Sequence, residues 1–285
     1  MARLQSSEGT NAGAFTPVDW ARFIAVGLIW GSSFLFIAYA LEGFPPGMIT
    51  MVRIALGAAA LWLVPAARPA IDRSDWARVG VLSVIWTALP FTLFPLAQQW
   101  INSALTGMLN GITPIATGLI AWLMLRRRPG SSQLLGIGVG LIGIIFIGLP
   151  SMGGGSETLG VVLVLIASAS YGLSLNVAVP LLQKYGSPPV MARVLTLAAL
   201  WTVPYGLVGA DTIELSWVPV VSILVLGLLG TGVAYLVMAN LASSVGSTRS
   251  SFITYAIPVV ALALGVTIRG DTVTTSALVL SLIHI

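Results

Sequence analysis

The sequence predicts an all-α integral membrane protein with ten transmembrane helices, arranged as two inverted five-helix repeats. Apolar residues make up 57% of the chain and charged residues 8%, against about 25% charged residues in an ordinary soluble domain. The apolar residues are concentrated in segments of about 20 residues, the length of helix that crosses a hydrocarbon core. Landmarks of the first half recur 143 or 144 positions later, as Pro45-Pro46 and Pro188-Pro189, and as Pro114 and Pro258.

The apolar segments predict five helices in each half. The first set lies near 20–41, 46–65, 76–97, 103–125 and 132–149, and the second near 158–182, 188–208, 217–241, 246–268 and 272–285. Because each copy has an odd number of helices, the second copy starts on the other side of the membrane and has the inverted orientation. Inverted repeats of this kind are an architecture of alternating-access carriers. The predicted repeats are therefore residues 19–149 and 158–285, joined by a Gly/Ser-rich linker at 150–157.

The two ends of the chain receive separate predictions. Residues 1–18 are polar and are expected to form a disordered tail. The apolar run that follows is longer than the core of a signal peptide, so we expect it to be retained as the first helix. The last segment, 272–285, has only 14 residues and loses the Gly-rich pattern of its counterpart. It is too short for a full span, so we expect a short or truncated last helix.

The basic residues predict the orientation. With the N-terminus in the cytoplasm, eleven of the thirteen Arg and Lys residues fall on the cytoplasmic side, and only Arg53 and Arg269 fall toward the outside. This bias is the pattern that positions membrane helices. We therefore expect a multi-pass protein of a bacterial inner (plasma) membrane. The basic residues are scattered between apolar spans and form no patch, so nucleic acid is not an expected partner.

Several polar and aromatic side chains lie near the middle of predicted helices. In a membrane helix such groups face a cavity or a neighbouring helix, because contact with lipid is costly. Aromatic walls with a few amides suit an amphipathic solute, and the alternative is simple hydrogen bonding between helices. The predicted substrate-binding residues are Trp30, Ser33, Trp86, Asn110, Thr113, Tyr171, Asn176, Tyr235, Asn240 and Tyr255. Pro114 and Pro258 are predicted kinks beside this cavity.

Arg53 is a further candidate, seven residues after Pro46. It could bind a substrate carboxylate or helix-end carbonyls, or it could extend to the outer headgroups. All nine acidic residues fall in loops, tails or span edges, so the central chamber is expected to be non-ionic, without a buried carboxylate for ion coupling. The chain has no cysteine and its one histidine is His284. No catalytic residue, metal site or cofactor is therefore predicted, and the chain is not expected to be an enzyme.

Three groups of residues resemble a known family. Trp30-Gly31-Ser32-Ser33-Phe34, with Pro45-Pro46 and Met51-Val52-Arg53, resembles the opening of an EamA domain of the drug/metabolite transporter superfamily. The segment 103–107 leading to Thr113-Pro114, and the segment 253–260 before Gly265, resemble the fourth and ninth helices of that family. The resemblance covers residues 19–280 in two tandem copies. One departure is Arg126-Arg127-Arg128, which replaces the acidic residue common after the fourth helix.

The resemblance implies a function. It implies that both termini are cytoplasmic and that helices one, three, four, six, eight and nine line a central pathway. We accordingly predict a transporter that exports amino acids, related small metabolites or drug-like compounds by alternating access. The alternatives are a nucleotide-sugar or lipid-linked solute carrier of the same superfamily and a non-transporting membrane sensor or scaffold. The expected partners are the lipid bilayer and a small-molecule substrate, and the chain is expected to be a monomer or a homodimer.

Overall fold

The computed structural model describes residues 8–11, 13–125, 135, 138 and 155–273. This part of the chain is helical and contains no strand beyond the isolated bridge between Glu8 and Gly246. Almost all of the fifth predicted helix (132–149) lies outside the described residues, as do most of the linker and most of the tenth predicted helix (272–285). The helices of the described part are α1 (Pro17–Ala40), α2 (Pro46–Trp62), α3 (Arg73–Ala97), α4 (Ser103–Leu109 continuing through Thr113–Leu125), α5 (Gly155–Tyr185), α6 (Ser187–Gly206), α7 (Trp217–Val245) and α8 (Ser247–Arg269).

Six helices of the described part are long and apolar enough to cross a membrane: α1, α3, α4, α5, α7 and α8. Helix α2 is apolar but has only 17 residues. Helix α1 begins with a capping box, in which the Thr16 side chain accepts from the Asp19 amide and Asp19 accepts from the Thr16 amide. This pair satisfies amide groups that no carbonyl of the helix can reach. The helix therefore begins at Pro17, three residues before the predicted start near 20.

The segment before α1 differs from the expected disordered tail. Thr10 and Asn11 donate backbone hydrogen bonds to the carbonyls of Ser243 and Ser244, at the end of α7. Arg249 donates to the carbonyls of Asn11 and Gly13. These contacts fix the described part of the tail against the turn between α7 and α8. The sequence prediction missed them because short polar segments carry no signal for a distant partner.

Helix distortions recur at the repeat interval. A wider π turn occupies Ser83–Ala88 in α3 and Leu228–Val233 in α7, 145 positions apart. A tighter 3-10 turn occupies Asn110–Ile112 in α4 and Phe252–Tyr255 in α8, shortly before Pro114 and Pro258. Such interruptions are uncommon in long helices and mark functional or strained sites. Their repetition confirms the two-repeat architecture that the sequence echo predicts.

Helix contacts recur in the same way. Gly31 of α1 packs so closely on Val260 of α8 that a Cβ there would lie 2.5 Å from the valine Cβ. Gly172 of α5 packs on Ala116 and Thr117 of α4, with an added Cβ only 2.7 Å from the Thr117 nitrogen. Both helix pairs run parallel, and they are equivalent pairs of the two repeats. Small residues allow this close approach, which is how helices associate in lipid.

One pair of equivalent helices, α2 and α6, runs in opposite directions. Gly47 at the start of α2 contacts Tyr205 near the end of α6, whereas Trp62 at the end of α2 donates a hydrogen bond to Thr196, nearer the start of α6. The equivalent helices α2 and α6 therefore run antiparallel. We call the end of the bundle that holds Pro17 the N-terminal face and the other end the opposite face.

Proline residues inside the helices leave carbonyls that hydroxyl groups satisfy. Proline has no N–H, so the carbonyl four residues earlier loses its partner. For Pro90 this carbonyl belongs to Trp86, and the Tyr235 hydroxyl donates to it at 2.6 Å. For Pro95 it belongs to Phe91, which accepts from Thr50 at 2.8 Å. Re-satisfied breaks of this kind are tolerated in membrane helices where neighbours supply the donors.

The buried apolar residues form two clusters, one toward each face. The cluster toward the N-terminal face includes Trp86, Tyr235 and Met238, and the cluster toward the opposite face includes Phe34 and Phe94. Trp30 and Tyr171 pack against both clusters, so they mark the level at which the two meet.

Candidate functional site

A cavity lies where the two apolar clusters meet, in the middle of the bundle. Its empty volume, which includes space open to solvent, is about 530 Å³. The lining side chains are mostly apolar or aromatic, with a few polar groups and a single charge. They are Trp30, Ser33, Phe34, Ile37, Arg53, Trp86, Phe91, Phe94, Asn110, Thr113, Tyr171, Leu175, Met238, Thr254 and Ile257.

The two repeats contribute equivalent positions to the lining. Four pairs of lining residues are separated by 141 or 144 positions: Trp30 and Tyr171, Phe34 and Leu175, Asn110 and Thr254, and Thr113 and Ile257. A cavity built from equivalent positions lies between the repeats rather than within either one. Carriers with repeated halves place their substrate at this location.

Trp30 and Tyr171 form an aromatic wall of the cavity. Their rings are nearly parallel, 10° apart, with centroids separated by 6.3 Å. The Trp30 indole N–H donates to the carbonyl of Gly230 at 3.1 Å, within the π turn of α7. Because the indole is fixed by this bond between the repeats, its ring keeps one face toward the cavity.

Asn110 and Thr113 form the polar part of the lining, at the 3-10 turn of α4. The Thr113 hydroxyl lies 2.9 Å from the Asn110 carbonyl, which also accepts from the Thr113 backbone N–H within the 3-10 turn. Ser168 of α5 donates to the Asn110 side-chain oxygen at 3.0 Å. The Ser33 hydroxyl bonds within its own helix, to the Ile29 carbonyl. The Asn110 amide is therefore oriented by α5 and occupies a set position at the cavity surface.

Seven of the predicted residues line this cavity: Trp30, Ser33, Arg53, Trp86, Asn110, Thr113 and Tyr171. Tyr235 lies behind them, fully buried, with its ring against Trp30 and Trp86. Asn176 is outside the lining and joins helices, because it donates to the Thr117 carbonyl and accepts from Ser247. Asn240 is half-buried on α7 outside the lining, and Tyr255 stacks on the exposed ring of Phe252.

Arg53 differs from its expected position. Its side chain is only 2% exposed and lines the cavity, so the interpretation of an arginine that extends to the outer headgroups is wrong. The expectation of a non-ionic chamber is wrong for the same reason. The guanidinium carbon lies 3.7 Å from the centre of the Phe91 ring, and Nε donates to the Thr231 hydroxyl at 3.3 Å. The sequence prediction failed because the position of Arg53 along its helix gives the depth of its backbone only. It does not reveal the direction in which a long side chain extends.

The sequence prediction also missed one polar lining residue, Thr254, and the apolar part of the lining. The apolar residues are Phe34, Ile37, Phe91, Phe94, Leu175, Met238 and Ile257. Apolar residues are everywhere in a membrane helix, so composition does not distinguish cavity from lipid contact. The repeat interval carried a usable signal for three of them, because Leu175, Thr254 and Ile257 are equivalent to Phe34, Asn110 and Thr113.

Comparison with known proteins agrees with this architecture. Residues 21–149 and 158–285 each match the EamA-like transporter family. The chain belongs to this family. The two matched segments are the two repeats in which the helix distortions recur. Membership of the family identifies the chain as a membrane transporter built from two EamA domains. The membership points to transport and not to catalysis, and no group of metal-ligating side chains occurs among the described residues.

Curated relatives carry the same description. The chain is 26% identical to the uncharacterized transporter YdfC of Bacillus subtilis over 242 residues, covering 82% of this chain and 78% of the relative. It is 23% identical to an uncharacterized transporter of Archaeoglobus fulgidus, covering 90% of this chain and 94% of the relative. A solved crystal structure with 15% identity superposes with a TM-score of 0.67 and covers 93% of both chains. This likeness shows the fold.

Proposed function

We propose that this EamA transporter exports amino acids or related small metabolites by alternating access through the central cavity. The observation that carries the proposal is the lining by four pairs of equivalent residues, led by Trp30 and Tyr171. A site shared by two repeats can open to either side when the repeats tilt against each other. Family membership supports transport, and the aromatic wall suits a solute of the size and amphipathic character of an amino acid.

The antiparallel course of α2 and α6 supports inversion of the repeats. The parallel course of α4 and α5 supports it as well, since Gly160 near the start of α5 packs on Ile101, just before α4 begins. The end of α4 at Leu125 and the start of α5 at Gly155 therefore lie at opposite faces of the bundle. A passage from one face to the other agrees with an odd number of spans in each repeat.

Ion pairs between the repeats lie at both faces. At the N-terminal face Lys184 of α5 binds Asp72 and Asp75, each at 2.8 Å. Hydrogen bonds from Lys184 and Tyr185 hold the pKa of Asp72 below its usual range, so this pair persists at neutral pH. At the opposite face Arg269 of α8 binds Glu42 at 2.7 Å. The pairs of Lys184 with Asp72 and of Arg269 with Glu42 are exposed and contribute little stability, which suits contacts that must break as the faces open in turn.

The orientation can be tested by cysteine labelling, since the chain contains no cysteine of its own. Ser74 lies at the N-terminal face and Ser216 at the opposite face, directly before α7. We expect Ser74→Cys to react with a membrane-impermeant maleimide only in inverted vesicles, and Ser216→Cys only in intact cells. Labelling of both from the same side would contradict the proposed orientation and the inversion of the repeats.

The role of the aromatic wall can be tested by transport in proteoliposomes. We expect Trp30→Ala to reduce counterflow of labelled amino acids or their 2-oxo acids at least about tenfold, the effect of 1.4 kcal/mol of lost binding. The matched control is Trp217→Ala, because Trp217 is 79% exposed at the start of α7. A folded Trp30→Ala protein that transports at the wild-type rate would contradict the proposed site.

A further inference from the structure

We infer that the solute carries one negative charge and no compensating positive charge, and that Arg53 binds its anionic group. This inference rests on the proposed function and narrows it to apolar or aromatic monocarboxylates. The expected ligand is a flat or apolar body attached to one carboxylate, such as a 2-oxo acid or an aryl-substituted acid. The evidence is the charge balance inside the cavity.

Arg53 is a buried cation with no ionic partner among the described residues. All nine Asp and Glu residues lie in the described part of the chain, and none of them forms an ion pair with Arg53 or lines the cavity. The side chains that contact the guanidinium are the Phe91 ring and the Thr231 hydroxyl, and neither carries a charge. An isolated buried charge is costly, and it is retained in membrane helices mainly for function.

The guanidinium is also incompletely hydrogen-bonded. Arg53 has five N–H donors, and only Nε donates to a side chain of the described residues, at Thr231. The terminal nitrogens are left for a ligand, and their planar arrangement matches the two oxygens of a carboxylate. Phe91 covers one face of the guanidinium, which leaves its edge as the binding surface.

The second repeat indicates that the fold itself does not need this charge. The position equivalent to Arg53, 143 residues later, is Thr196 of α6. The Thr196 hydroxyl accepts from Trp62 and donates to the carbonyl of Ala192. Equivalent helices thus pack with a threonine in one repeat and an arginine in the other. The lining therefore has an arginine on the first repeat and no counterpart on the second.

The absence of acidic side chains from the lining argues for a net anion over a zwitterion. An α-amino acid would place its ammonium group among oxygens and aromatic rings, with no carboxylate in the lining to pair with it. A monocarboxylate neutralises Arg53 and brings no second charge to be buried. A solute with two or more negative charges, such as a diphosphate, would bury an excess of negative charge that a single arginine cannot balance.

The test uses three compounds with the same phenyl ring and two-carbon chain. We expect purified wild-type protein to bind 3-phenylpropionate at least about tenfold more tightly than zwitterionic phenylalanine, and 2-phenylethylamine least. Arg53→Gln should remove the preference for the anion and weaken its binding at least about 30-fold. Arg53→Lys should preserve the order with weaker binding, and the control Arg78→Gln, outside the cavity, should leave the wild-type values unchanged.

The outcomes separate the inference from the proposed function. Equal or tighter binding of phenylalanine or 2-phenylethylamine by the wild type would overturn the inference, and measurable transport of those compounds would still support the proposed function. Binding of the anion without flux of any compound in proteoliposomes would overturn the proposed function and leave the charge assignment intact. If Arg53→Gln does not fold, the order of the three compounds on the wild type and on Arg53→Lys decides the question.

Discussion

Replacing Gly172 with alanine is expected to destabilise the protein by about 1–3 kcal/mol, the usual cost of overpacking. The added Cβ would lie 2.7 Å from the Thr117 nitrogen and 2.9 Å from the Ala116 carbonyl carbon. These are backbone atoms, so no rotamer change relieves the overlap and α4 and α5 must separate. The separation would also move Tyr171, the neighbour of Gly172 in the aromatic wall, and transport should fall together with stability.

The matched control for this variant is Gly80→Ala in α3. A Cβ at Gly80 would meet nothing within 4 Å, and alanine favours a helix over glycine by about 1 kcal/mol. Thermal unfolding in detergent should therefore show a lower midpoint for Gly172→Ala and an unchanged or higher one for Gly80→Ala. Equal midpoints for the two variants would mean that the α4–α5 contact is looser than described.

Replacing Tyr235 with phenylalanine is expected to cost about 1–3 kcal/mol, the range for a buried polar group left without a partner. The Tyr235 hydroxyl is the donor to the Trp86 carbonyl, which Pro90 leaves without an N–H partner. The phenylalanine ring can keep its contacts with Trp30, Trp86 and Phe91. The loss would therefore report the interactions of the hydroxyl, with the Trp86 carbonyl and with Tyr171.

A second substitution gives this prediction a direct check. Pro90→Ala restores an N–H that can reach the Trp86 carbonyl, so it should recover part of the stability lost by Tyr235→Phe. A double-mutant cycle measures this coupling. The control is Tyr205→Phe, because the Tyr205 hydroxyl makes no hydrogen bond within the described part of the chain. Strictly additive effects of Pro90→Ala and Tyr235→Phe would show that the hydroxyl does not replace the missing N–H.

Much of the architecture was accessible from sequence because a membrane imposes a length and a polarity on each helix. The span boundaries, the two repeats and the family resemblance all follow from local signals, such as twenty-residue apolar segments and the prolines 143 and 144 positions apart. The π turns of α3 and α7 were not accessible. They depend on hydrogen-bond registers that neighbouring helices stabilise, as the contact between Tyr235 and the Trp86 carbonyl illustrates.

The candidate site divides along the same line. Polar and aromatic residues at midspan could be identified by type, since such groups avoid lipid. Which of these residues line the cavity and which bond helices together could not be predicted. Asn110 lines the cavity, whereas Asn176 joins three helices through Thr117 and Ser247. The direction in which each amide points depends on which helix lies beside it, and that is a property of packing.

By itself, the sequence determined the class of protein, the repeat and the set of chemical groups available for a site. Only the tertiary structure decided where the single charge of the cavity lies. Arg53 occurs near one end of its span in sequence, but the turn of its long side chain toward Phe91 and Thr231 places the guanidinium at the centre. The physical reason is that helix periodicity fixes backbone depth, whereas the position of a flexible side chain depends on the neighbours that surround it.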